Sequence, residues 1–185
     1  MALFQNFIQG PNLLTLFRIA AVPIIIILML FPNRFCVFVA ALVFSVAAIT
    51  DYLDGFYARK RNMVTTLGKI MDPIADKLLV SSAFIMLAAL NWVPSWIVCI
   101  IIGRELAVTG LRNIIAEKGE DLSASNLGKF KTGFQIAAII PLMIHFPFLG
   151  LNVQAIGNLF LWGALVFTIW SGADYFIRSR SLLHS

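Results

Sequence analysis

Four of the nine acidic residues in this 185-residue chain, Asp51, Asp54, Asp72 and Asp76, lie close together in sequence. Asp51 and Asp54 are three residues apart, and Asp72 and Asp76 four apart. On helices either spacing puts both carboxylates on one face. Two such faces brought together would make a ring of four carboxylates, which repel one another unless cations neutralise them. Hard oxygen donors, with no cysteine and no ligand-spaced histidine beside them, select Mg2+ or Mn2+, and the donor count suits two divalent cations. A plainer reading pairs these acids with Arg59, Lys69 and Lys77 at solvated helix ends.

A second set of polar residues follows in the other half of the chain: Arg104, Glu105, Thr109 and Arg112, then Lys129 and Lys131 in Gly128-Lys129-Phe130-Lys131-Thr132. Arg112 lies eight residues beyond Arg104, about 80° around a helix. Cations gathered in this way suit an anionic partner, and a phosphate monoester is the simplest one. The plainer alternative is that Lys129 and Lys131 anchor a helix end to anionic headgroups.

The elements that must position these residues are dictated by composition. Hydrophobic residues make up 60% of the chain and charged residues only 12%, which is the balance of a polytopic membrane protein. Spans need roughly 20 apolar residues. The apolar runs give six, at about 13–31, 35–58, 70–90, 96–114, 129–148 and 152–177, preceded by a short interfacial helix over residues 1–10 in which Leu3, Phe4, Phe7 and Ile8 share a face. The expected fold is therefore an all-α integral membrane bundle of six transmembrane helices forming a single domain, 1–185. Gly10-Pro11, Pro32-Asn33-Arg34 and the stretch Asn91 to Ser95 mark breaks between elements.

Lysine and arginine favour cytoplasmic loops. With the N-terminus inside, Arg59, Lys60, Arg61, Lys69, Arg112, Lys118, Lys129, Lys131, Arg178 and Arg180 fall on the inner side and only Arg34 on the outer. Both termini and both pairs of aspartates are then expected at the cytoplasmic face. The net charge of +5 reads as topology and contact with anionic membrane lipids, so no nucleic acid partner is expected. Cys36 and Cys99 sit in apolar runs and read as packing or lipid-facing residues. His145 reads as a packing residue too, Trp92 and Trp96 as an outer aromatic belt, and Asp174 receives no role.

The full string Asp51-x2-Asp54-Gly55-x2-Ala58-Arg59-x8-Gly68-x3-Asp72-x3-Asp76 resembles the signature of the CDP-alcohol phosphotransferase family, with every fixed position matched. The resemblance implies a six-helix membrane enzyme that takes a CDP-linked donor and a hydroxyl acceptor and releases CMP. It implies that Asp51, Asp54, Asp72 and Asp76 hold the two cations, with Asp76 also the catalytic base. Gly55, Ala58 and Gly68 would let the nucleotide approach the helix backbone, or else serve tight helix packing. Arg59 would contact the diphosphate. Pro11-Asn12-Leu13-Leu14-Thr15-Leu16-Phe17-Arg18 is similar to the family's opening of span one, which adds Asn12 and Thr15 to the CDP-lipid set alongside Asp54, with Arg18 on the same face.

The strings Arg104 to Arg112 and Gly128 to Thr132 resemble the branch of that family whose donor is CDP-diacylglycerol and whose acceptor is sn-glycerol 3-phosphate. The likeness runs over nearly the whole chain. Arg104, Thr109, Arg112, Lys129 and Lys131 would then bind the acceptor phosphate, with Glu105 orienting Arg104. A homodimer is implied by the resemblance alone. Inositol phosphate, serine and phosphatidylglycerol stay open as acceptors. A divalent-cation transporter is the rival class, but it calls for acids near mid-membrane on a path open to both faces.

Overall fold

The computed structural model describes residues 10–61, 66–117, 126–147, 150 and 152–183. Of these, the side chains of 10–14, 51–70, 72, 126–127 and 181–183 lie outside the description. The interfacial helix expected over residues 1–10 lies outside it, apart from Gly10. Six helices make up the described chain, and no strand occurs among the described residues: α1 Gly10–Leu30, α2 Arg34–Arg61, α3 Thr66–Ala89, α4 Ser95–Glu117, α5 Asn126–Ile144 and α6 Val153–Leu183.

Local chemistry sets their ends. Asn33 caps α2, its side-chain oxygen accepting the Cys36 amide at 2.9 Å, and Asn152 caps α6 in the same way through the Ala155 amide at 3.1 Å. Helix α3 ends in a Schellman turn. Asn91 takes a left-handed backbone, φ 58°, while Trp92 N–H donates to Leu87 O at 2.9 Å and Asn91 N–H to Ala88 O at 3.0 Å. His145, φ 55°, stops α5 in the left-handed region, two residues before Pro147. The fifth element was expected to run to residue 148, so it ends four residues early.

The chain divides into two compact units, the first reaching Met86 and including Met143–Phe146, the second comprising Leu87–Leu142 and the chain from Pro147 onward. In the first, α1 packs along α2. Ala21, Ile25 and Met29 recur every four residues on one buried stripe of α1, and Val37, Ala40, Ala41, Phe44 and Ala47 form the buried stripe of α2. The alanines let the two backbones approach closely.

In the second unit α4 packs along α6. Trp96 meets Trp162, and Arg112 lies over Tyr175 further along, so α4 and α6 run parallel. Phe130 meets Phe167, Phe134 touches both Phe160 and Phe167, and Gly157 faces Leu142, so α5 runs antiparallel to α6.

Among the described residues only α6, over Val153–Arg180, is long and apolar enough to cross a membrane; Thr15–Leu30 and Arg34–Thr50 are shorter apolar stretches. Six helices therefore match the expected six elements in number and order. The expectation that each is a full span is narrower than what length and composition establish, because ionised side chains interrupt several of them, such as Arg104, Glu105 and Arg112 in α4.

Candidate active site

The first unit carries the aspartates. Asp51 and Asp54 stand in the second half of α2 with Gly55, Ala58 and Arg59 on the following turns, and Gly68 and Asp72 stand early in α3. Helical register keeps Asp51 with Asp54 on one face of α2, and Asp72 with Asp76 on one face of α3. The side chains of Asn12, Asp51, Asp54, Arg59 and Asp72 lie outside the described residues. Pro73 sits between the α3 aspartates and removes one backbone donor from the helix there.

Asp76 is described in full. Its carboxylate accepts from the guanidinium of Arg18 on α1, which is buried, as is Thr15 three residues earlier on the same face. Thr15 and Arg18 thus give α1 a buried polar face, one member of which reaches the family's expected base, while the side chain of Asn12 lies outside the described residues. Among the described residues no three His, Cys, Asp or Glu side chains cluster. As a donor set, four carboxylates on two helix faces suit a pair of hard divalent cations.

The second unit carries the cations. Glu105 on α4 is shared: its Oε1 accepts from Arg104 Nη1 at 3.3 Å and from the Lys131 ammonium of α5. Side-chain exposure is 14% for Arg104, 18% for Glu105 and 6% for Lys131. Two cations thus share one carboxylate in an enclosed setting, and their remaining N–H donors suit an anionic group. Arg104 also donates from Nη2 to the Ser171 hydroxyl of α6 at 2.9 Å.

The remaining expected phosphate ligands are placed differently. The Thr109 hydroxyl donates to the Glu105 carbonyl of its own helix at 2.7 Å. The Arg112 guanidinium lies 6.0 Å from the centre of the Tyr175 ring, at the far limit of a cation–π contact. Lys129 is exposed, and two residues of helix put it on a different side of α5 from Lys131. Asp174 pairs with Arg178 one turn on, at 2.9 Å. The structure thus gathers Arg104, Glu105 and Lys131, and leaves Lys129 and Arg112 out of that ion-paired group.

Ser171 and Gly172 were not singled out from sequence. The run Trp170-Ser171-Gly172-Ala173 does hold a signal, since consecutive small residues inside an apolar helix mark a close approach by a neighbour.

Residues 8–170 match the family model for CDP-alcohol phosphatidyltransferase. The chain belongs to the CDP-alcohol phosphatidyltransferase family. Among curated relatives it is 45% identical to the CDP-diacylglycerol–glycerol-3-phosphate 3-phosphatidyltransferase of Bacillus subtilis (strain 168), over 94% of this chain and 96% of that protein. It is 40% identical to the protein of that name from Rickettsia bellii (strain RML369-C), over 90% and 92%, and 36% identical to the one from Shigella flexneri serotype 5b (strain 8401), over 92% and 94%. Membership in this membrane-associated family agrees with the length and apolar character of α6.

Proposed function

We propose that the chain transfers the phosphatidyl group of CDP-diacylglycerol to sn-glycerol 3-phosphate, giving phosphatidylglycerophosphate and CMP, and so acts as a phosphatidylglycerophosphate synthase. The observation that carries the acceptor half of this reading is the enclosed Arg104–Glu105–Lys131 group, in which two cations share one carboxylate. An inositol phosphate would suit that group as well. Serine and phosphatidylglycerol would not bring a phosphate monoester to it. The names of the relatives favour glycerol 3-phosphate within this class.

In this reading the acceptor hydroxyl oxygen bonds to the phosphatidyl phosphorus as the bond from that phosphorus to the bridging diphosphate oxygen breaks. CMP departs with the electron pair. Asp76 accepts the hydroxyl proton, and Arg18 holds the carboxylate in place for that transfer. Asp51, Asp54, Asp72 and Asp76 would hold two divalent cations, Mg2+ or Mn2+, which when bound neutralise the diphosphate and the leaving CMP. Arg59 contacts the diphosphate, while Asn12, Thr15, Gly55, Ala58 and Gly68 accept the CDP-lipid. Arg104 and Lys131 hold the acceptor phosphate, with Thr109, Arg112 and Lys129 supporting its approach.

Embedding of all six helices in a bacterial cytoplasmic membrane, with both termini and the chemistry on the cytoplasmic side, belongs to the same proposal. It is supported by outward apolar side chains on α1, α2 and α6, including Ile27, Leu30, Phe35, Ile49, Leu159, Val166 and Ile177, and by the basic residues gathered on one side of the expected topology. The homodimer implied by the resemblance is kept as part of it.

The test is CMP release by purified protein in detergent with CDP-diacylglycerol, labelled glycerol 3-phosphate and Mg2+ or Mn2+. Label should enter lipid, EDTA should stop the reaction, and either metal should restore it. Release of CMP only with inositol phosphate, serine or phosphatidylglycerol would overturn the acceptor assignment, and no release with any of them would overturn the transferase reading.

A further inference from the structure

We propose that Ser171 and Gly172 of α6 are positioning residues for Arg104, fixing the direction in which its guanidinium presents charge to the acceptor phosphate. The proposal rests on the reading of Arg104 as a phosphate ligand.

Arginine has a long, flexible stem, and a useful phosphate contact requires its planar fork to be held in one direction. Three neighbours do this here. Glu105 takes Nη1 and Ser171 takes Nη2. The stem lies against Gly172, where an added Cβ would stand 3.1 Å from Arg104 Cγ and 3.6 Å from Nε. Only glycine lets the stem lie this close to the α6 backbone without displacement.

The Ser171 hydroxyl is itself held. It donates its single proton to the Thr168 carbonyl one turn back, at 3.3 Å. With its donor committed to its own helix, the oxygen can only accept from Arg104. The hydroxyl is therefore a fixed acceptor. Ser171 is buried, at 1% exposure, so water does not compete for this role. Alanine at 171 would remove the acceptor, and alanine at 172 would push the stem where it leaves the α4 backbone, a point at which a shift of a few tenths of an ångström is magnified at the guanidinium.

A role in packing alone predicts something else. Gly163 lies on the same helix, where a Cβ would crowd the Phe134 ring and not Arg104, so Gly163→Ala serves as the packing control. Alanine is also the better helix former, so Gly172→Ala should not lower the melting temperature through helix propensity.

The experiment is steady-state kinetics of Arg104→Ala, Ser171→Ala, Gly172→Ala and Gly163→Ala in detergent, varying glycerol 3-phosphate and CDP-diacylglycerol separately. Ser171→Ala and Gly172→Ala should each raise KM for glycerol 3-phosphate by about tenfold, the scale of one hydrogen bond to a charged group. KM for CDP-diacylglycerol should stay within about twofold. Gly163→Ala should shift the melting temperature and leave the acceptor KM in place. An unchanged acceptor KM in Ser171→Ala and Gly172→Ala, with Arg104→Ala raising it, overturns the positioning role and leaves the phosphate reading standing. An unchanged acceptor KM in Arg104→Ala overturns the phosphate reading itself, and the positioning role with it. Should Gly172→Ala fail to fold, Ser171→Ala decides.

Discussion

Arg18 of α1 meets Asp76 of α3 across 58 residues of chain, and the two ends of this ion pair differ in surroundings: the Arg18 side chain is 2% exposed, that of Asp76 42%. The buried partner is the cation and the accessible one is the carboxylate. This is the arrangement expected when a fixed group orients a working one.

The first prediction follows from that asymmetry. Removing Arg18 leaves a carboxylate that its surroundings can still solvate, so Arg18→Met should cost stability only about 1 kcal/mol, as for an exposed pair. The larger effect should be on turnover, with kcat falling about tenfold or more and KM for CDP-diacylglycerol little changed. Arg18→Lys should recover part of the loss, and Asp76→Asn should abolish turnover while donor binding survives. A melting temperature that collapses in Arg18→Met, with kcat preserved in the folded fraction, would make Arg18 a purely structural residue.

A second prediction concerns Glu105, whose one oxygen serves both Arg104 and Lys131. Glu105→Gln keeps the shape and removes the compensating charge, so the enclosed cations repel. Breaking a buried pair costs about 3–5 kcal/mol, and Glu105 retains some exposure, so the loss belongs at roughly 3 kcal/mol. An anion that binds the folded state should recover part of this. Inorganic phosphate should therefore raise the melting temperature of Glu105→Gln more than that of the parent protein. Equal shifts in the two would contradict an enclosed cationic group.

The third prediction separates two glycines of α6. An added Cβ at Gly163 would stand 2.6 Å from the Phe134 ring, whereas at Gly157 it would stand 2.6 Å from Leu142 Cγ and 3.0 Å from the Leu142 backbone nitrogen. Helix propensity favours alanine by about 1 kcal/mol at both sites, but overpacking costs about 1–3 kcal/mol. A ring can turn aside and a backbone cannot. Thermal unfolding in detergent should therefore rank Gly157→Ala below Gly163→Ala, and the reverse order would show that the α5–α6 contact yields more easily than its geometry indicates.

Some of the molecule was legible along the chain because the signals are local. Apolar runs separated by breaks such as Pro32-Asn33 and the stretch Asn91 to Ser95 give the described helices their number and order, since backbone groups in an apolar setting must be satisfied within each segment. Asn33 caps its helix through the amide three residues on. The end of α5 was harder to place: residues 146–149 continue its apolar composition, and the stop depends on a left-handed His145.

The spacings of three and four within the aspartate string followed from the sequence as shared helix faces, whatever the helices pack against. The partners of those faces did not. Arg18 with Asp76, Lys131 with Glu105 and Arg104 with Ser171 each join different helices, over 58, 26 and 67 residues. The sequence by itself determined the helices, their order and the family. The tertiary structure alone decided which ionised side chain faces which, because helix periodicity records the face a residue occupies, while the register between two helices is set by how their side chains interlock.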